Sequence, residues 1–414
     1  MDQPLDAGLW TLDCGLLDNI THSLFGIALA DLTMRRGASK VERRLSTGAA
    51  IIAANLPDLD LMYSGIIPQP LGYLLHHRGH SHTVPGLIVL VLVLMLTYRV
   101  LPPLRKLPWV DRFRLWGLIA VASASHVSLD ALNSYGVHPF YPIDPAWYFG
   151  DAMFIFEPWL WVVLGLAATL NARSRMAKLA AALPIVIVPI AMVSAGIIPI
   201  EAALSLATVG GLFAWMAGGM SPRLRAGVAL TASVLIVLVL IGISRLARVE
   251  AMAALQPDLS GRLVDIILTP NPSSPLCWAV IGVELDEAGG EYVLWRGTLS
   301  LAPRWKAPTA CASHRFGGPH DVIRTMSGGQ FVLRDEVHQS LGRLRELAQT
   351  DCRVRAWLRF GRAPVMTKAE IFDLRFAERI GQNFSRMSLD ARSAGCPAYV
   401  PGWGMPRADL LTFK

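Results

Sequence analysis

The feature that most limits how this chain can fold is where its charges are. Up to about residue 244 the sequence is a series of apolar runs, with Lys and Arg gathered in the short stretches between them. Eight runs stand out, at roughly 20–34, 45–56, 84–101, 115–133, 157–171, 178–199, 202–220 and 225–244. Most approach the ~20 apolar residues that a helix needs to cross a bilayer core. The first two are shorter, and are expected to be tilted, half-buried or re-entrant. Beyond residue 250 the apolar runs thin out. The chain therefore reads as an α-helical polytopic membrane domain (17–250) followed by a small soluble α+β domain (251–414), with residues 1–16 as an N-terminal extension. That extension has three Asp and no Lys or Arg, which excludes the basic start of a signal peptide.

Composition supports the membrane reading. The chain is 53% hydrophobic and 17% charged, with mean hydropathy +0.43, unlike an ordinary soluble enzyme. Its net charge of +7 is not a nucleic-acid signal. The basic residues lie in inter-segment loops and lack the interleaved aromatics of a nucleic-acid groove. Arg35, Arg36, Lys40, Arg43 and Arg44 occupy the first loop, and Arg99, Arg105, Lys106, Arg112 and Arg114 the third. The fifth holds Arg173, Arg175 and Lys178, and the seventh Arg223 and Arg225. The second holds only Arg78; the fourth and sixth hold no basic residue. Basic loops stay cytoplasmic, so the even loops and the C-terminal domain are expected outside. Arg245 and Arg248 are a mild exception.

This orientation gathers the unusual polar residues on one side. Seven of the ten histidines precede residue 140. His22 sits at the outer end of the first segment. Asp58 and Asp60 follow the second, where Pro57 stops the helix and an extended turn is expected. The run His76-His77-Arg78-Gly79-His80-Ser81-His82 is an outer loop, and Gly79 is expected to supply the tight turn that brings His77 to His82. His126 and Asp130 share a helix face at i, i+4. Asp151 and Glu157 lie in or beside an aromatic outer loop. Ionisable groups at membrane depth mark function, and imidazoles mixed with carboxylates point to a divalent cation. Arg78 is positioned to clamp a phosphate or carboxylate. His76 and His80 are expected to stand aside. Serine-hydrolase, Walker, dinucleotide and His-Glu-x-x-His motifs are all missing.

Five blocks carry a resemblance: Asp-Asn-Ile-Thr-His-Ser (18–23), Ala-Asn-Leu-Pro-Asp-Leu-Asp (54–60), His-Arg-Gly-His-Ser-His (77–82), Ser-His-Val-Ser-Leu-Asp-Ala-Leu-Asn-Ser-Tyr-Gly-Val (125–137) and the stretch from Tyr148 to Trp161. In that order the chain resembles the inner-membrane metal-dependent hydrolase family of bacteria, the YdjM/YbcI-like proteins. Asn271-Pro272 with Trp278 is similar to the start of the soluble domain of longer members. The resemblance implies a multi-pass protein of the bacterial inner membrane, with the site and the C-terminal domain on the periplasmic side. It implies a ligand set of His22, Asp58, His77, His82, His126 and Asp130, with Asp60 and Asp151 as further candidates. Thr83, Ser81, His80 and Glu157 depart from the family pattern.

The function these readings point to is a metal-dependent hydrolase. One or two divalent ions, Zn or Mn first, would activate water, Asp60 or Asp151 would take its proton, and Arg78 would stabilise charge on the substrate. The partners expected are the lipid bilayer and an amphiphilic or lipid-linked ester or phosphoester. A non-enzymatic metal-binding protein (transporter or sensor) and an envelope scaffold stay open as alternatives. Segments 178–199 and 225–244 have no ionisable residue in their interiors, which counts against a transporter.

In the C-terminal domain, 264–268, 278–284, 292–299 and 353–360 read as strands and 336–349 as a helix. The Pro-rich run 270–275 reads as a turn. Cys277, Cys311, Cys352 and Cys396 are an even set that allows one or two disulfides in an oxidising compartment.

Overall fold

The computed structural model describes residues 6–100, 109–311, 322–326, 328–377, 383–390 and 395–412, with 6–17 as backbone only. Residues 1–5 of the expected extension, and Arg105 and Lys106 of the third loop, lie outside the described residues.

Each of the eight apolar segments forms a helix. In chain order the helical region comprises α1 (Asp6–Thr33), α2 (Lys40–Asn55), α3 (Asp60–Ser64), α4 (Leu71–His76), α5 (Val84–Val100), α6 (Trp109–Asp130), α7 (Pro158–Asn171), α8 (Arg175–Ser194), α9 (Ile200–Gly218) and α10 (Pro222–Leu255). Ser39 caps α2 in a reciprocal pair with Glu42, and Ser174 and Ser221 cap α8 and α10. Such caps satisfy the orphan N–H groups of a helix start. Among the described residues, three stretches are long and apolar enough to cross a membrane: Arg175–Ser194, Ile200–Gly218 and Pro222–Asp258. Leu71–His82 with Val84–Val100, bent by 69°, is a fourth candidate. Their outward faces are apolar and exposed: Leu183, Ile187 and Ile190 on α8, Leu92 and Leu96 on α5, Leu235 and Leu238 on α10. An apolar surface on this scale belongs against lipid rather than water. α1 is the hub, packing on α2, α6, α7 and α10.

The C-terminal region is an antiparallel sheet in the order β1-β2-β3-β5-β4, with a second, three-stranded sheet β6-β7-β8. The strands are β1 (Arg262–Asn271), β2 (Ser274–Asp286), β3 (Glu291–Ser300), β4 (Arg324–Thr325), β5 (Phe331–Ser340), β6 (Pro364–Met366), β7 (Glu370–Asp373) and β8 (Met387–Ser388), and α11 (Leu341–Thr350), α12 (Cys352–Trp357) and α13 (Ala408–Leu411) complete it. The first three expected strands and the turn at 270–275 are found. Two expectations are corrected. Residues 353–360, which alternate Arg with apolar residues, form α12 and the turn after it instead of a strand. The side chain of Asp351 accepts from the backbone N–H of Arg353 and Val354, and that cap starts a helix. Residues 336–340 extend β5 against β3; the helix begins only after Ser340, whose hydroxyl caps α11. All four C-terminal cysteines are paired, Cys277 with Cys311 and Cys352 with Cys396.

The two regions share their cores. Ala247, Ala251, Ala254 and Leu255 of α10 pack with Trp278, Val280, Trp295 and Phe331 of the sheet. Leu71, Leu74 and Leu75 of α4 and Tyr135 join the core around Trp357 and Phe360. The loops between α2 and α5, and after α6, are thereby held between helices and sheet.

Candidate metal centre

The middle of α1, the C-terminal end of α6 and two short 3-10 turns meet beneath the sheet domain. Because α1 already starts at Asp6, His22 lies mid-helix and not at the end of its segment as expected. α1 carries Asp18 and His22 one turn apart, and α6 carries His126 and Asp130 at the same spacing. After α2, Pro57 opens a 3-10 turn, Pro57–Leu59, that runs directly into α3. Asp58 and Asp60 thus sit on helical backbone, not in the expected extended turn; a proline at the first position favours a helical start. His82 ends the 3-10 turn His80–His82, just before α5.

α2 and α6 are locked together at the level of the site. Ser123 Oγ donates to Ala53 O at 2.9 Å, and His126 Nδ1 lies 2.7 Å from Ala54 O. Both carbonyls belong to the last turn of α2, where Ala53 O also accepts from the backbone N–H of Leu56 at 3.4 Å. A carbonyl only accepts, so Nδ1 of His126 carries the proton and the lone pair of the neutral ring is on Nε2. Nδ1 of His82 lies 3.0 Å from Ser81 Oγ and 3.3 Å from Asp60 Oδ2; both accept here, since the Ser81 proton goes to Asp60, so this ring is fixed the same way. Ser81 Oγ donates to Asp60 Oδ2 at 2.7 Å.

With both tautomers set, the two Nε2 atoms face each other at 3.2 Å. Asp130 Oδ2 lies 3.1 Å from His82 Nε2 and 3.4 Å from His126 Nε2. Asp58 Oδ1 lies 3.6 and 3.3 Å from the same atoms. All four donor atoms fall within 4.8 Å of one another, and His82, His126 and Asp130 are fully buried. Four electron-rich atoms at this spacing, away from water, require a cation or shared protons between them. Two imidazoles and two carboxylate oxygens make a donor set suited to a metal ion.

Two further groups overlap this one. His22 Nε2 lies 3.4 Å from Asp18 Oδ1 and 3.5 Å from Asp130 Oδ1, so Asp130 offers one oxygen to each side. Among the described residues, neither ring nitrogen of His22 has a hydrogen-bond partner. Its ring stacks on His126 at 3.8 Å. Asp58, Asp60 and His77 form the third group, with His77 Nδ1 3.1 Å from Asp60 Oδ1. Burial works to raise Asp58 and Asp60, but His126 beside Asp58 and His77 beside Asp60 outweigh it. Both carboxyls lie below the ordinary range.

Every residue of the expected ligand set falls in one of these groups. Asp18, unnamed as a ligand from sequence, is added to them; its i, i+4 spacing from His22 was the available signal. Asp60 is in place beside His77 and His82. Asp151 is not brought to the cluster: Arg362 donates to both its oxygens at 2.8 Å and Arg248 to one. Arg78 turns inward and is 2% exposed. Its NH1 donates to Asp130 O and Asn133 Oδ1, its NH2 to Asp130 Oδ1 at 2.9 Å and Asp18 Oδ2 at 3.2 Å. In this position it orients two cluster carboxylates. Arg78 also supplies the left-handed turn, at φ 56°; Gly79 contributes room, since a Cβ there would lie 2.6 Å from His76 O.

His76 and His80 face the C-terminal domain instead. His80 Nε2 lies 2.9 Å from Tyr399 Oη, and His76 stacks on the same ring. His138 stacks on Trp403 at 4.0 Å, and burial, with His82 and His80 nearby, pushes its imidazole down to about 3. These contacts place the segment around Tyr399 and Trp403 over the histidine turn.

Comparison with known proteins agrees with the motif blocks. Residues 17–203 match the model of the family described as YdjM inner membrane protein, the family that the sequence resembled. A Bacillus subtilis (strain 168) protein, YfhP, described as uncharacterized, is 25% identical over 153 residues, 35% of this chain. The matched stretch spans 43% of that relative's length. No solved structure matches.

Proposed function

We propose that the chain is a metal-dependent hydrolase of the inner membrane, cleaving an ester or phosphoester of an amphiphilic or lipid-linked substrate at the periplasmic face. One observation carries the reading: the Nε2 lone pairs of His82 and His126, each fixed by a partner on Nδ1, meet Asp58 and Asp130 in a buried pocket. Those four residues would hold one divalent ion, and Asp18, His22 and the other oxygen of Asp130 a second. A bound divalent ion supplies Lewis acidity and acidifies water.

The remaining roles belong to the chain. Asp60 orients His82 and His77 together. The His77 side chain is 11% exposed, the most open of the four cluster imidazoles; with Nδ1 on Asp60, its Nε2 is the atom that takes the proton from water. Arg78 holds Asp18 and Asp130 aimed. The alternation of basic loops supports a periplasmic face, as do two disulfides, which persist in oxidising compartments. A site among helices with exposed apolar faces favours an amphiphile over a freely soluble substrate.

The test is metal analysis of detergent-purified protein beside His82→Ala and His126→Ala, followed by incubation with lipid extracts. The expected result is stoichiometric divalent metal in the wild type, its loss in both variants, and metal-dependent release of a polar product by the wild type alone. Metal retained in both variants would sink the site. Metal lost in both, with no product from the loaded wild type, would favour the non-enzymatic metal-binding reading.

A further inference from the structure

A second cavity, of about 890 Å³, lies between α1, α2, α7 and α8, within the size range of ligand sites. No His or Asp of the metal centre lines it. It follows α1 from Asn19 to Asp31, roughly 18 Å at helical rise, comparable to one leaflet of a ~30 Å bilayer core. Its walls are apolar, with Ile20, Leu24 and Ile27 on α1, Ile51 on α2, and Ala181 and Pro184 on α8. Leu179, Leu183 and Val186 on α8 are exposed, so this flank faces the surrounding hydrocarbon.

The end remote from the metal centre is cationic. Lys40, Arg43, Arg44 and Arg173 line it, and Lys40, Arg44 and Arg173 are exposed. The one acid among the described lining residues, Asp31, accepts from Asn171 Nδ2 at 2.7 Å, and Asn171 Oδ1 accepts in turn from Arg225 at 2.6 Å. Pro222, the first residue of α10, also lines the cavity. The starts of α2, α8 and α10 therefore converge here, and helix N-termini favour anions. An apolar slot of leaflet depth, open to lipid and ending in a cationic rim, has the chemistry of an anionic lipid.

We propose that this cavity binds one anionic glycerophospholipid of the leaflet remote from the metal centre. Its phosphate sits on Lys40, Arg44 and Arg173, and its acyl chains lie along Ile20, Leu24, Ile27 and Ile51. The inference needs the helical region to lie in a bilayer. It does not need the metal centre to be catalytic, so the two readings fail separately.

The full chain, purified in detergent, is equilibrated with equal phosphatidylglycerol and phosphatidylcholine of identical acyl chains, and retained lipid is counted by native mass spectrometry. One phosphatidylglycerol per chain is expected, in preference to phosphatidylcholine. The triple variant Lys40→Gln/Arg44→Gln/Arg173→Gln should retain roughly tenfold less or lower still, with its metal content unchanged. Ala181→Trp, which fills the slot from α8, should retain none. Equal retention of the two lipids, wild-type retention by the triple variant, or retention by a folded Ala181→Trp would each overturn the proposal. So would displacement of the lipid by millimolar inorganic phosphate, which would make the ligand a soluble phosphate.

Discussion

Arg78 holds a left-handed backbone conformation that costs a residue with a Cβ roughly 1–2 kcal/mol. What it gains is a guanidinium buried between Asp18, Asp130 and Asn133, with the Tyr135 ring 4.8 Å away. Removing one partner of a buried charge pair leaves the others uncompensated, typically at about 3–5 kcal/mol. Arg78→Ala should therefore lower the melting temperature of the metal-free protein by many degrees, and Arg78→Lys, which cannot present two donors in one plane, should rescue it only in part. A purely substrate-binding arginine would leave that melting temperature unmoved, so the measurement separates the two roles. The sequence made Arg78 conspicuous as the one basic residue of its loop. It could not tell an inward guanidinium from an outward one, because that choice rests on Asp18 and Asn133, 60 and 55 residues away.

At the scale of elements, the eight long helices of the first 255 residues were legible because long apolar runs have few alternatives, whereas α3, α4 and the start of α1 at Asp6 were not. The C-terminal elements were harder where two local signals compete. Arg353 to Trp357 alternate like a strand, yet Val354, Trp357 and Leu358 are buried together, the i, i+3, i+4 pattern of a helix. The Asp351 cap decides between them. Asp351→Ala should cost about 1 kcal/mol, and up to about 2, as capping residues do, and Asp351→Asn should restore most of it; thermal melts of the three proteins check this. β5 shows the reverse case. Residues 336–340 carry helix-compatible side chains but continue the strand because β3 presents partners through Ser340, a long-range effect invisible in a local window.

For the whole molecule, the joint between helices and sheet is a buried charge network. Arg362 grips Asp151 with two nitrogens and Asp265 with Nε, all at 2.8 Å. Burial works to raise the Asp265 carboxyl, but Arg362, then Arg407 and Arg248, outweigh it and hold it below its ordinary value. An unfolded Asp titrates near 3.9, so as pH falls the unfolded chain binds that proton first. The stabilisation from Asp265 is thus complete above about pH 4 and is lost as pH drops through the lower folded value. Asp265→Asn should lower the melting temperature at pH 7 and show a smaller further loss below pH 4 than the wild type. Parallel pH-dependent melts with the same loss in both proteins would rule the network out as a determinant.

The sequence by itself determined the helical region, most of the large sheet's strands, the even set of cysteines, and the histidines and carboxylates that gather. Those rest on apolar periodicity, turn chemistry and spacing, all properties of neighbouring residues. Only the tertiary structure decided which cysteines pair, that Asp18 joins the cluster, that Asp151 serves the joint, and that Arg78 points inward. Each depends on a partner far along the chain, and in a buried low-dielectric setting a charged group is defined by what packs against it, which spacing does not encode.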